Sequence, residues 1–213
     1  MRFERTSVFN FENALRGMRN PLDSWAKSDS EILPDGNYSI GEADLNLAQR
    51  LIKGGSEHRK FMRQIFVSVD ITAPIYWWSE FDTYKVGTAA NSRSTMHTLS
   101  KYPISEDMFE RDEDNEFEDY WNFIIPSLES LRLKYKETND YAYFRLLKQR
   151  LPSSFLQMRT VTLNYENLLS MIGQREHHRL REWNTDFIAW TKTLPYADEL
   201  LYCLKDKNSD DKH

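Results

Sequence analysis

From Ile65 to Ile71 the chain reads IFVSVDI, with Ile65, Val67, Val69 and Ile71 on one side of an alternating pattern. A period of two with β-branched residues predicts a half-buried strand. Upstream, GEADLNLAQRLIKGG sets Leu47, Ala48, Leu51 and Ile52 on one helical face, with Gly54 or Gly55 as the stop. FENALRGMRN predicts a short helix ending near Pro21, and the Pro-Asp-Gly of SDSEILPDGNYS predicts a turn. Pro74 opens a further helix, PIYWWSEFDTYK, at its first turn. Phe117, Tyr120, Trp121, Ile124, Leu128, Leu131 and Tyr135 recur at helical spacing, with Pro126 predicting a kink. A second helix covers DYAYFRLLKQR and stops at Leu151-Pro152. RTVTL predicts a short strand, and the rest reads as helix with a weak point at Gly173. These elements predict a mixed α+β domain with more helix than sheet.

The chain's 213 residues contain no internal repeat and no Gly/Ser linker, so we expect one domain over 1–205 and a disordered tail over 206–213. A net charge of −5 argues against a nucleic-acid surface built on phosphate neutralisation. The single Cys203 excludes an intramolecular disulfide framework and a cysteine-based zinc cluster, suits a reducing compartment, and sits among leucines as a packed thiol. MRFERTSVFNFENALRG is too charged for a secretory segment, and no apolar run approaches the roughly 20 residues of a membrane span. These features predict a cytoplasmic protein with no membrane partner. The aromatic content suits cores, pockets and subunit interfaces alike.

Candidate chemistry is sparse. His177 and His178 are adjacent and point about 100° apart on a helix, so they do not share a metal as an i, i+4 pair does. The acidic run SEDMFERDEDNEFED lacks the spacing and glycine of a calcium loop and reads as a solvated face or helix start. LIKGGSEH lacks the spacing of a phosphate loop, and there is no serine elbow. The exception is DTYKVGTAANSRSTMH. Its hydroxyls, amide and cations surround Gly87, Ala89 and Ala90, which suits a phosphate or a planar heterocycle. The competing reading is a polar loop in which Asn91 or Ser92 caps a helix.

In order and spacing, several stretches resemble the flavin-dependent thymidylate synthases. ALRGMRNP is similar to that family's N-terminal Ala-x-Arg-Ala-Ala-Arg-x-Ser helix, keeping Arg16 and Arg19 but placing Pro21 at the serine. LIKGGSEH with IFVSVDITAPIYWW resembles its His-Gly-His-Glu turn and a strand ending in Ala-Pro. LKQRLP resembles its Arg-x-x-Leu-Pro, TLNYENLLSMIGQR its Thr-x-Asn-Ala-Arg-Ser-Leu helix, and LREWN its Ala-Gln-Trp-Glu. The likeness spans residues 13 to 200 and implies a small central sheet flanked by long helices. It also implies methylation of dUMP, or a related one-carbon transfer to a pyrimidine deoxynucleotide. FAD would be the cofactor, reduced nicotinamide and methylene-tetrahydrofolate the cosubstrates, and a homotetramer the assembly, with sites built from more than one subunit.

The resemblance also nominates residues. Arg175 stands at the arginine that orients the substrate base and Ser94, across a one-residue insertion without which Arg93 takes the place, at the motif serine, so Arg175 and Ser94 are the candidate catalytic groups. Arg93, Ser94, Lys148 and Arg175 are the candidate substrate ligands, and Lys85, Thr88, Asn91 and Asn164 the candidate cofactor ligands. The departures concentrate on the flavin side: Thr83-Tyr84-Lys85 replaces Arg-His-Arg, Gln64 replaces a histidine, Glu166 an arginine, and Met96 another arginine. An alternative is therefore a catalytically inactive nucleotide-binding or structural protein that keeps the fold. Trp77 and Trp78 offer stacking surfaces, with core packing as the simpler role.

Overall fold

The computed structural model describes residues 1–112 and 118–204. Phe117, part of the acidic run, and the expected disordered tail lie outside the described residues. The elements are β1 (Arg2–Phe9), α1 (Phe11–Arg19), β2 (Glu31–Ile32), β3 (Tyr38–Ser39), α2 (Glu42–Lys53), β4 (Phe66–Pro74) and α3 (Ile75–Phe81). They continue with β5 (Ala89–Ser92), α4 (Thr95–Thr98), α5 (Glu118–Thr138), α6 (Tyr141–Arg150), β6 (Leu156–Asn164), α7 (Tyr165–Arg175) and α8 (Ile188–Lys192). Four strands pair in the order β1-β4-β6-β5, and β2 and β3 form an antiparallel hairpin. The architecture is mixed α+β, as the periodicities predict.

The residues cluster into two compact units. The first comprises 1–3, 70–83 and 90–160; the second comprises 4–69, 84–89 and 161–213, of which 161–204 are described. In the second, the alternation that leads into β4 does its expected work: Ile65, Val67 and Val69 are each at most 1% exposed. Leu15, Ala48, Ile52, Met62, Tyr165 and Met171 complete a dry interior there. Gly36, at φ +86°, closes the predicted Pro-Asp-Gly turn between β2 and β3. Asp44 is fully buried on α2 and accepts from Arg19 of α1 and from the Ser28 and Ser30 hydroxyls. Glu182–Phe187 and Ala197–Leu201 are short π-helical segments.

In the first unit, α5 and α6 form a helical hairpin whose turn contains Asn139 at φ +53°. Asp140 caps α6 by accepting from the Ala142 amide. Leu128, Leu131 and Leu147 from this hairpin pack with Leu99, Ile104 and Phe109. Trp77 and Trp78 of α3 are buried against Phe81, which assigns both to the core. The helix opened by Pro74 ends at Phe81, four residues before the predicted Lys85. β6 is longer than RTVTL and includes it. α7 runs through Gly173 to Arg175.

Candidate functional site

The nominated residues divide between the units. Asn91, Arg93, Ser94 and Lys148 belong to the first; Lys85, Thr88, Asn164 and Arg175 belong to the second.

In the first unit, Asn91, Ser92 and Arg93 lie exposed at the end of β5. The Arg93 amide donates to the Met158 carbonyl at 2.8 Å, so β6 holds this stretch extended. The Arg93 guanidinium sits over the Tyr102 ring, 5.7 Å from its centroid. Ser94 directly precedes α4; its carbonyl, not its hydroxyl, receives the Thr98 amide at 3.0 Å. Neither Asn91 nor Ser92 is the cap. Lys148 on α6 donates to the Thr95 hydroxyl at 2.6 Å, and burial pushes its ammonium below the usual lysine range. Arg93, Thr95, Thr98, Tyr102 and Gln157 help line a cavity of about 190 Å³. Arg2 and Asp107 line it too, and Lys148 reaches it only through Thr95; guanidinium and hydroxyl donors of this kind can hold a phosphate.

In the second unit, the loop Tyr84–Thr88 is fastened to both ends of α7. At the start of α7, the Asn164 side chain accepts from the Asn167 amide while Asn167 Oδ1 receives the Asn164 amide, a reciprocal cap. Asn167 also donates to the Val86 carbonyl at 2.8 Å. Gly87, at φ +78°, approaches so closely that a Cβ would meet Asn164 Nδ2 at 2.9 Å. The Thr88 hydroxyl turns back to the Tyr84 carbonyl. At the end of α7, the Tyr84 phenol donates to Gln174 Oε1 at 2.9 Å and accepts from Arg175 Nε at 2.8 Å. The guanidinium lies over Trp183 at 4.7 Å and over Tyr84 at 5.4 Å. Trp183 is fully buried, so this half-buried cation rests on a fixed surface.

A flavin dinucleotide brings a diphosphate, which needs several donors turned toward it. The nominated Thr88 instead spends its hydroxyl donor inside the loop, and the Asn164 side-chain oxygen accepts within the helix cap. Lys85 is exposed, and Asn91 belongs to the other unit. Glu166, where the resemblance expects an arginine, is paired with Arg59, whose Nε reaches both carboxylate oxygens at 2.9 and 3.0 Å. The nominated set does not build a diphosphate cradle within either unit.

Asn167, Gln174, Trp183, Tyr102 and Gln157 were not among the nominated residues. An Asn-x-x-Asn spacing ahead of an apolar run signals the reciprocal cap. Nothing local in the sequence marks Tyr102 or Gln157. Among the described residues, no group of three His, Cys, Asp or Glu side chains forms a metal site, and no helix is long and apolar enough to cross a membrane. Cys203 is half-buried, and burial pushes its thiol up.

No protein-family model matches the chain, and a search of curated proteins finds no match. Solved structures do match. One is a crystal structure of the flavin-dependent thymidylate synthase of Helicobacter pylori complexed with FAD and dUMP. It aligns with 96% of this chain and all of its own, at 20% identity and a TM-score of 0.72. A second structure of that organism's enzyme, with FAD and dUMP, aligns with 97% of this chain at 19% identity and a TM-score of 0.73. At such identities the agreement concerns the backbone, and it extends over nearly the whole chain. The chain has the fold of a flavin-dependent thymidylate synthase.

Proposed function

We propose that the chain is a divergent relative of the flavin-dependent thymidylate synthases that recognises a pyrimidine deoxynucleotide monophosphate. The observation that carries this reading is the state of Arg175. Its guanidinium is pinned through Nε by a phenol and backed by two aromatic rings, at the position the resemblance assigns to the base. A fixed cation suits a uracil carbonyl, where negative charge accumulates. Arg93, Ser94 and Lys148 form the phosphate-binding set, supported by the cavity beside Arg93 and Thr95. Each cluster is assigned on its own residues, because the resemblance implies a homotetramer whose sites draw on several protomers.

Titration of the purified protein with dUMP, followed by calorimetry, tests this. Binding is expected, and Arg175→Ala weakens it by about tenfold or more, the worth of one charge-assisted hydrogen bond. Wild-type protein that binds no dUMP refutes the reading.

The whole-length match to proteins complexed with FAD favours a second reading, a flavoenzyme that methylates dUMP with reduced nicotinamide and methylene-tetrahydrofolate. The Thr88 hydroxyl, spent within the loop, weighs against it. Absorbance of the protein with added FAD, before and after dUMP, separates the two. A flavin spectrum perturbed by dUMP supports the enzyme, and no flavin binding at high concentration sinks it.

A further inference from the structure

We infer that Tyr84 is a positioning residue that sets the orientation of the Arg175 guanidinium and thereby the discrimination of the ligand's ring. The inference rests on the nucleotide reading above, and it assigns a task to a residue that departs from the family pattern, in which a histidine stands.

Three observations support it. First, the Tyr84 phenol works in both directions: it accepts from Arg175 Nε and donates to Gln174 Oε1, so the hydroxyl proton is committed and a lone pair faces the arginine. Second, the guanidinium has ring systems close by, with Trp183 at 4.7 Å and Tyr84 itself at 5.4 Å. A planar cation bonded at Nε and backed by rings loses the rotation that leaves most surface arginines without directional preference. Third, Tyr84 is not a loosely held loop residue. The Thr88 hydroxyl returns to its carbonyl, Asn167 holds the carbonyl of Val86 two residues on, and Gly87 packs on the asparagine cap. The phenol is therefore located by the start of α7 and acts on its end.

This geometry matters because dUMP and a bare deoxyribose 5-phosphate share sugar and phosphate and differ in the uracil ring. Phosphate donors bind both, whereas an oriented guanidinium favours the ligand that offers a carbonyl oxygen in the right direction. Phenylalanine at position 84 keeps the ring beneath the guanidinium and removes only the hydrogen bonds. It separates orientation from packing.

Two measurements test the inference. The first follows the Arg175 Nε–Hε signal by nitrogen-15 NMR in wild-type and Tyr84→Phe protein. A slowly exchanging signal that becomes exchange-broadened or lost in the variant supports positioning by Tyr84, and an unchanged signal overturns it. The second compares affinities for dUMP and for 2-deoxyribose 5-phosphate. Tyr84→Phe is expected to lower dUMP affinity about tenfold, the loss of one charge-assisted bond, and to leave affinity for the sugar phosphate unchanged. An equal loss for both ligands, or for neither, overturns the discrimination role. Wild-type protein that fails to prefer dUMP over the sugar phosphate overturns the nucleotide reading instead, and the NMR comparison then decides Tyr84's hold on Arg175 by itself. Thermal unfolding run alongside guards against a merely unfolded variant, with Tyr84→His as the conservative replacement should Tyr84→Phe not fold.

Discussion

Arg19 donates from Nε to Asp44 Oδ1 across 2.5 Å, and the two side chains are only 4% and 0% exposed. Removing one partner of such a pair leaves the other charge uncompensated in the interior. Asp44→Ala is expected to cost about 3–5 kcal/mol of stability, read as a lowered urea midpoint. Burial pushes the Asp44 carboxyl up, but the bonds from Ser28, Ser30 and Arg19 outweigh it and hold the group below its usual range. Its stabilisation is therefore present above the unfolded value of about 3.9 and fades as pH falls through the lower folded value. Urea midpoints that do not fall with acid in wild type more steeply than in the variant contradict this assignment.

Lys148 behaves in the opposite sense. Burial lowers its pKa, so the folded chain holds fewer protons than the unfolded one from that lowered value up to about pH 10.4. Stability contributed by this residue rises with pH through that window. Lys148→Met relieves the desolvation and is expected to leave the melting temperature equal or higher. Its dUMP affinity should fall about tenfold, by loss of one charge-assisted contact. A variant with lower stability and unchanged affinity would reverse both roles.

Gly87→Ala meets two obstacles at once, a φ of +78° and a Cβ position 2.9 Å from Asn164 Nδ2. The expected cost is about 1–3 kcal/mol, measured by thermal unfolding. Because the strain falls on the loop that carries Tyr84, dUMP affinity should weaken as well. Loss of stability with full affinity would show that the loop plays no part in recognition.

Glu166→Arg restores the residue type that the family resemblance leads one to expect, yet it sets a second cation against Arg59. The present pair is bonded through Arg59 Nε to both Glu166 oxygens and is less than one-fifth exposed. The substitution should destabilise by about 1.5–3 kcal/mol, and pairing it with Arg59→Glu should recover much of the loss. A destabilisation that persists in the double variant argues that packing, rather than charge, sets the cost.

How much of this was legible in the sequence depends on where each residue's partner lies. The alternation of Ile65, Val67, Val69 and Ile71 announced β4 because one face of that strand is dry. α6 declared itself through the run DYAYFRLLKQR and the Leu151-Pro152 stop, with Asp140 proving to be its cap. β1 and β5 did not, because both are largely exposed and their order comes from backbone pairing, which imposes no hydrophobic rhythm. At the candidate site, residue type marked the polar groups of 82–97 and of the TLNYEN stretch, but not which of them the fold would consume. Asn164 is the clearest case. An asparagine that caps a helix and one that holds a ligand are identical in sequence, and here the side chain accepts from Asn167. Lys148 meeting Thr95 spans 53 positions, a separation that no local pattern encodes.

Pro126 lies inside α5, a helix that runs unbroken from Glu118 to Thr138. Proline has no amide hydrogen to give, so the Asn122 carbonyl forgoes its usual partner, and both residues are exposed where water can replace it. The missing bond divides the helix in its cooperativity. Seen by hydrogen exchange, α5 should open as two segments: a readily exchanging one before Pro126, and a protected one anchored by Leu128 and Leu131 in the first unit's core.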